Sequence, residues 1–490
     1  MDKYFKKYFD PEDFRKQGHQ LVDQLADYLQ SCFTDEVLPV LPWRDPAEQY
    51  EFWKADFGKP AEESPENFYK KVLDNSIHLH HPRYIGHQVV PPLPQTALTE
   101  LLEALTNNSM AVYEVGPASS AIERVLTEWL IDKIGWDDKA NGLLTSGGSI
   151  GNLTALLAAR QAYAGKDIWK EGLDEKLAVM VSSESHYSVE RAARIMGLGD
   201  DAIIRLPVDE AFRIKTDALQ ERLKESKDKG KHVFALVGNA CSTASGKYDP
   251  LDDLGDFCRK NNIWFHVDAA HGGPAILSGK YKHLLNGIEM SDSLVLDFHK
   301  MMLTPALTTA VLFRDGKSSY RSFSQKADYL LSKEEQWHDI AKRSLECTKK
   351  PMALKVYLML KTYGTELFEK YVEQTYDLAH SFAGIISKDD QMELAVAPDS
   401  NIVCFRLWKD GAGDDALNRL NATIREKMLH EGKFYIVQTM LGKKLYLRIS
   451  IMNPFTGQET LKALLAEVKK QGGFLKTGTK PPGLKNSLLP

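Results

Sequence analysis

Cysteine is scarce in this chain: five in 490 residues, at positions 32, 241, 258, 347 and 404. The number is odd, the spacing is wide and no Cys-x-x-Cys pair occurs, so neither a disulfide framework nor a thiolate zinc site is expected, and no metal is. Reduced thiols of this kind fit a cytoplasmic protein. Also lacking is any run of about 18 apolar residues, the length from which a membrane-crossing helix is read. The opening MDKYFKKYFD has no continuous apolar segment of the kind a secretion signal requires. Positive charge is not in excess either: 62 Lys and Arg stand against 67 Asp and Glu, a net charge of -5. The basic residues are scattered, which leaves no electrostatic footprint for a nucleic acid or an anionic membrane.

What is present is ordinary for a globular enzyme: 43% hydrophobic, 26% charged and 10% aromatic residues, which exclude a mainly disordered chain. The length exceeds what one compact core accommodates, so two or three domains are expected. We read a helical N-terminal arm over residues 1–75, a large domain over 76–360, a small α/β domain over 361–475 and a flexible tail over 476–490. In the arm, Phe14, Leu21, Val22, Leu25, Tyr28 and Leu29 recur at helical spacing after Asp10-Pro11, an amphipathic helix whose apolar face packs on a partner subunit or on the chain's own large domain. Residues 78–94 hold four histidines, at 78, 80, 81 and 87, among prolines. No carboxylate or cysteine lies at ligand spacing, so an extended pocket wall or plain structural turns are expected there rather than a metal site.

From residue 141 the pattern alternates strand and helix, the mark of a mostly parallel sheet with helices on its faces. A short apolar strand runs into Thr145-Ser-Gly-Gly-Ser-Ile-Gly-Asn152 and then an Ala/Leu helix. Backbone N–H groups of Gly147, Gly148 and Ser149 at that helix N-terminus would suit a single phosphate; the alternative is a tight strand-to-helix connection. Further strands end near His186, at the turn holding Thr243, at Asp268 and, after Leu294-Val-Leu296, at Asp297-Phe-His-Lys300. In a parallel sheet such ends converge on one edge. A lysine there can lose solvation, its pKa falling until it acts as an amine able to form a Schiff base; a plain strand cap is the alternative. Small residues after Asp268, namely Ala269, Ala270, Gly272 and Gly273, leave room for a flat ring beside a carboxylate that needs a cationic partner.

A phosphate cradle, a histidine, an aspartate and a lysine, in that order, are the requirements of pyridoxal 5'-phosphate. The stretches Thr145–Asn152, Ser185-His-Tyr-Ser-Val-Glu-Arg191, His266-Val-Asp-Ala-Ala-His-Gly-Gly273 and Asp297-Phe-His-Lys300 closely resemble the group II pyridoxal-phosphate amino-acid decarboxylases. That family includes the glutamate, cysteine-sulfinate, aromatic-amino-acid and 2,4-diaminobutyrate decarboxylases. The resemblance implies an aspartate-aminotransferase-like fold of type I and a homodimer with cofactor sites at its interface, the loop 107–117 reaching across. It implies Lys300 as the Schiff-base lysine, Asp268 against the pyridine nitrogen and His186 stacked on the ring. Gly147, Gly148, Ser149 and Asn152 fall in the cradle motif, Thr243 and Ala270 along the ring, and Asp297 and His299 beside the lysine, His299 on the phosphate side. Arg448, before Asn453-Pro454, takes the position of a substrate-carboxylate arginine.

Departures from the family bear on substrate and proton transfer. Phe298 stands where members often have proline, and Cys241-Ser242-Thr243 replaces the customary Gly-Thr-Thr. No tyrosine occurs between Tyr329 and Tyr357, where a mobile loop usually supplies the one that protonates Cα; His338 is the replacement we expect. Without a donor, the intermediate would meet O₂ and yield an aldehyde by oxidative deamination. His87 and Gln88, where aromatic decarboxylases carry aromatic residues, argue for a small polar substrate, acidic or diamino, such as 2,4-diaminobutyrate, glutamate, aspartate or cysteine sulfinate. Tyrosine, DOPA and tryptophan are the alternative.

Overall fold

The computed structural model describes residues 3–35, 37–60, 63–321, 323, 337–338 and 340–473. The tail 476–490, Tyr329 and most of the loop 332–342 lie outside the described residues. Among the described residues no helix is long and apolar enough to cross a membrane.

Seven strands form the large sheet: β1 (Asn141–Thr145), β2 (Leu177–Ser182), β3 (Ile203–Leu206), β4 (His232–Asn239), β5 (Trp264–Asp268), β6 (Ser293–Asp297) and β7 (Thr309–Phe313). Their order is β1-β7-β6-β5-β4-β2-β3. β6, β5, β4, β2 and β3 run parallel, while β7 is antiparallel to both β1 and β6. β2, β6 and β7 are buried along their whole length, which is why they read as apolar runs rather than alternations. One main core on this sheet gathers Leu236, Phe265, Leu294 and Phe298 with Leu126 and Leu130 of the helix Pro117–Ile134. The fold is the mostly parallel α/β architecture expected.

A second sheet, β8 (Met392–Leu394), β9 (Ile402–Leu407), β10 (Val437–Leu441) and β11 (Lys444–Ser450), is antiparallel in the order β10-β11-β9-β8. Phe382, Ile424 and Leu464, from three helices, close a separate core over it.

The arm leaves Phe14, Val22 and Leu25 of its apolar face exposed. Its helix, Pro11–Thr34, starts where Asp10 caps the N–H groups of Glu12 and Asp13. Only Cys32 of that helix is buried. The arm's continuation joins the small sheet rather than the large domain: the Val40 N–H donates to the Gly432 carbonyl at 2.8 Å, and Val40 packs with Tyr84, Tyr435 and Val437. The segment after the arm does the same, since Ile85 N–H donates to Tyr435 O and Ser450 N–H to Ile85 O. Gly86 is obligatory there, because a Cβ would come within 2.5 Å of the Tyr435 ring.

Candidate active site

The carboxyl ends of β4, β5 and β6 and the turn after β1 meet at a cavity of about 370 Å³. Gly147, Gly148, Ser149, Asn152, His186, Thr243, Asp268, Ala270, Asp297, His299 and Lys300 all line it. Eleven expected residues, separated by up to 153 positions, therefore share one wall. Sheet topology explains this, since parallel strands deliver their ends to one edge.

Lys300 does not end a strand. β6 runs through Asp297, and Lys300 lies one turn into the short helix Phe298–Met301. That turn brings its Nζ to 2.8 Å from Asp297 Oδ2. The expected fall in the lysine pKa is not found in the chain alone. Burial pushes it down, but the Asp297 carboxylate, with Asp268 behind it, outweighs burial and holds the ammonium above the ordinary lysine range. Asp297 is held below the usual carboxylate range despite its burial, because Lys300 and His299 flank it. His299 is fixed in turn by the backbone of Thr308, whose N–H donates to Nδ1 at 3.1 Å.

Asp268 receives the Asn152 amide on Oδ2 at 2.9 Å and the Ala270 N–H on Oδ1 at 3.2 Å. His186 caps the helix Tyr187–Ile195 and sits 2.7 Å from Ser188 Oγ through Nδ1. Burial pushes its pKa down, with Asp268 opposing, so the ring is neutral and suited to stacking. Sequence reasoning missed Ser188, Asn239 and His271, which also line the cavity. Burial drives the His271 pKa down to about 3. Its position in His266-Val-Asp-Ala-Ala-His271, three residues past Asp268, was the available signal.

The phosphate cradle is open where it must be. Gly147 has φ of 109°, a conformation side chains avoid. A Cβ on Gly148 would sit 3.2 Å from Asp297 Oδ1. Gly151 lets the helix Gly148–Ala164 approach β6, since a Cβ there would come within 2.9 Å of Val295. At the cradle's edge, Ser146 donates its N–H to Glu346 Oε2 at 3.3 Å and its hydroxyl to Oε1. A lysine, a carboxylate, a neutral ring and backbone N–H groups around one cavity fit pyridoxal 5'-phosphate: Lys300 would face its aldehyde, Asp268 its ring nitrogen, His186 its face and Gly148 and Ser149 its phosphate.

Four expected residues stand apart from this wall. Arg448 lies on β11, 5% exposed, with Nε and Nη2 lacking partners among the described residues. Burial lowers its pKa, with Cys404 and Cys241 opposing, and Cys241 is part of the cavity wall. His87 is exposed beside Tyr435, ring centroids 5.8 Å apart, within electrostatic reach of Arg448. Gln88 keeps a buried Nε2 with no partner among the described residues. His338 lies against Tyr113 and Trp337, at 5.3 Å from each ring, and is not one of the residues that line the cavity.

The pyridoxal-dependent decarboxylase conserved domain matches residues 66–408. The chain is 29% identical to an aromatic-L-amino-acid decarboxylase of Bacillus atrophaeus, over 94% of this chain and 95% of that protein. It is equally, 29%, identical to an L-2,4-diaminobutyrate decarboxylase of Acinetobacter baumannii, over 92% and 94%. An acidic amino acid decarboxylase of Homo sapiens is 28% identical over 90% and 87%. Among solved structures, mouse CSAD in apo form superposes with a TM-score of 0.87 at 26% identity, covering 94% of this chain and 99% of that one.

Proposed function

The chain belongs to the pyridoxal-dependent decarboxylase family, and from that membership we propose that it removes CO₂ from an L-amino acid with a small polar side chain, acidic or diamino. Pyridoxal 5'-phosphate is the cofactor, and when bound it takes up the electrons released as the bond from Cα to the carboxylate breaks. In this reading Lys300 would hold the cofactor covalently, Asp268 would keep its ring nitrogen protonated and His186 would cover its face. Arg448 would anchor the α-carboxylate and so orient the bond at Cα that breaks. His338 returns a proton to Cα.

The observation that supports a small polar substrate is His87 within electrostatic reach of the buried Arg448 guanidinium, with Gln88 beside it; the cavity lining itself is taken up by the groups assigned to the cofactor. A homodimer is part of the proposal: Leu98, Leu101, Leu102 and Leu105 on the helix Pro94–Thr106, with Phe14, Val22 and Leu25 in the arm, are exposed apolar residues that a second copy would cover. Tyr113 and His338 would then serve the partner's cavity. The five free cysteines support a cytoplasmic location.

The test is a CO₂-release screen across amino acids with the cofactor-loaded protein, amine and aldehyde both assayed. Release from glutamate, aspartate, cysteine sulfinate or 2,4-diaminobutyrate is expected. Release only from tyrosine, DOPA or tryptophan overturns the substrate class. Aldehyde with hydrogen peroxide in place of amine overturns the role of His338.

A further inference from the structure

Side chains alternate along a strand, so β5 sets Trp264, His266 and Asp268 on one face, toward Asn152 on the helix Gly148–Ala164 and Ser293 on the neighbouring strand. Four hydrogen bonds join these five residues. The Trp264 Nε1–H donates to Ser293 Oγ at 2.8 Å. Ser293 Oγ lies 2.9 Å from His266 Nδ1, and His266 Nε2 lies 2.9 Å from Asn152 Oδ1. Asn152 Nδ2 donates to Asp268 Oδ2 at 2.9 Å.

The donor inventory fixes the direction of every bond. A carboxylate only accepts, so Asn152 turns its NH₂ to Asp268 and its oxygen to His266. That oxygen accepts, so the proton of the neutral His266 ring is on Nε2. Nδ1 is then bare and takes the Ser293 hydroxyl proton, while the Ser293 oxygen receives the Trp264 N–H. The other tautomer, with Nδ1–H on the Ser293 carbonyl 3.2 Å away, would set His266 Nε2 and Asn152 Oδ1 face to face as two acceptors. Burial keeps His266 neutral, its pKa pushed down to about 4.

Asn152 also branches. Its second amide hydrogen goes to Ser188 Oγ at 2.9 Å, and the Ser188 hydroxyl then donates to His186 Nδ1 at 2.7 Å. His186 is left with its proton on Nε2.

We propose that Trp264, Ser293, His266 and Asn152 form a one-way donor chain that positions the Asp268 carboxylate toward the cofactor ring, and that the same Asn152 amide sets the tautomer of His186. Each bond polarises the next, with every positive end directed at the carboxylate. These four are positioning residues, acting through Asp268 and His186. The inference rests on the reading of Asp268 as the ring-nitrogen partner.

The test uses the full-length protein loaded with pyridoxal 5'-phosphate. Its readouts are the dissociation constant for the cofactor and the pH titration of the visible band. His266→Leu is expected to weaken cofactor binding about tenfold and to move the titration midpoint by about one unit. His266→Gln, whose amide N–H can face Asn152 Oδ1, restores at least half of that shift, which a merely space-filling role would not predict. Ser293→Ala removes one hydroxyl and moves the midpoint in the same direction; it carries the test should His266→Leu fail to fold. Asp268→Asn is the reference. If it moves the midpoint while Ser293→Ala and the folded His266 variants do not, the donor chain is wrong. If Asp268→Asn leaves the band and its titration unchanged, the reading of Asp268 itself fails.

Discussion

Oδ2 of Asp297 stands 2.8 Å from the Lys300 ammonium, one helical turn earlier in the chain. The carboxylate that aligns the lysine also keeps it protonated. An ammonium cannot attack an aldehyde, so with Lys300 as the proposed Schiff-base lysine, cofactor loading would draw on the small neutral fraction.

Replacing Asp297 with asparagine is therefore expected to speed loading near pH 7. The lysine pKa falls when its carboxylate partner is lost, and each unit of fall raises the neutral fraction about tenfold. The rate at which the visible band grows after cofactor is added, followed from pH 6.5 to 9, checks this. A rate equal to wild type at every pH rules it out.

Glu346 takes two hydrogen bonds from Ser146 at the edge of the cradle, where a phosphate dianion would meet its negative charge. Like charges about 4 Å apart repel by roughly 1 kcal/mol in water and more in a cleft. Glu346→Gln should bind the cofactor about fivefold more tightly or better. Equal dissociation constants would show that Glu346 swings clear of the phosphate.

Arg448→Met separates function from stability. With Arg448 as the proposed carboxylate anchor, losing a charged hydrogen bond of about 1.5–3 kcal/mol is expected to raise KM for the amino acid roughly 10- to 100-fold. The thermal midpoint should hold or rise, because the substitution removes a buried guanidinium with two unpartnered nitrogens. A midpoint falling alongside activity would make Arg448 a structural residue.

Lys349 and Glu123 form an ion pair 1% and 2% exposed, 2.6 Å apart, which also braces β1 through the Leu144 carbonyl. Lys349→Met leaves a buried carboxylate unpaired and costs about 3–5 kcal/mol in urea unfolding. The double substitution with Glu123→Leu should recover most of that loss; no recovery would mean that the bond to Leu144 dominates.

Acid should destabilise the fold below pH 6.5. Burial depresses the pKa of His266 to about 4 and of His271 to about 3. Between those values and the ordinary histidine value the unfolded chain binds protons that the folded chain refuses. Stability thus falls as pH falls, by up to about 1.4 kcal/mol per unit for each histidine. Urea midpoints at pH 7 and 4.5 measure the slope, which His266→Gln should reduce.

The cofactor motifs were legible because each joins a strand end to a turn, a local pattern of an apolar run, a polar residue and small residues. Asn152, Asp268 and Lys300 could be named from such runs, and the parallel alternation placed their ends on one edge. Even the donor chain left a trace, in the two-residue repeat of Trp264, His266 and Asp268, yet its direction depends on Ser293 and Asn152, which come from other elements.

Other features have no local signature. That the arm seats on the small sheet through Val40 and Tyr84, that Lys300 stays charged beside Asp297, and that Glu346 reaches Ser146 across 200 positions are all outcomes of long-range approach. Hydrophobic period and turn chemistry are written into neighbouring residues and so dictate which elements form and which side chains lie at their ends. Hydrogen-bond direction, burial and the pKa values that follow from them depend on distances of a few ångströms between segments far apart in the chain, and only their packing sets those.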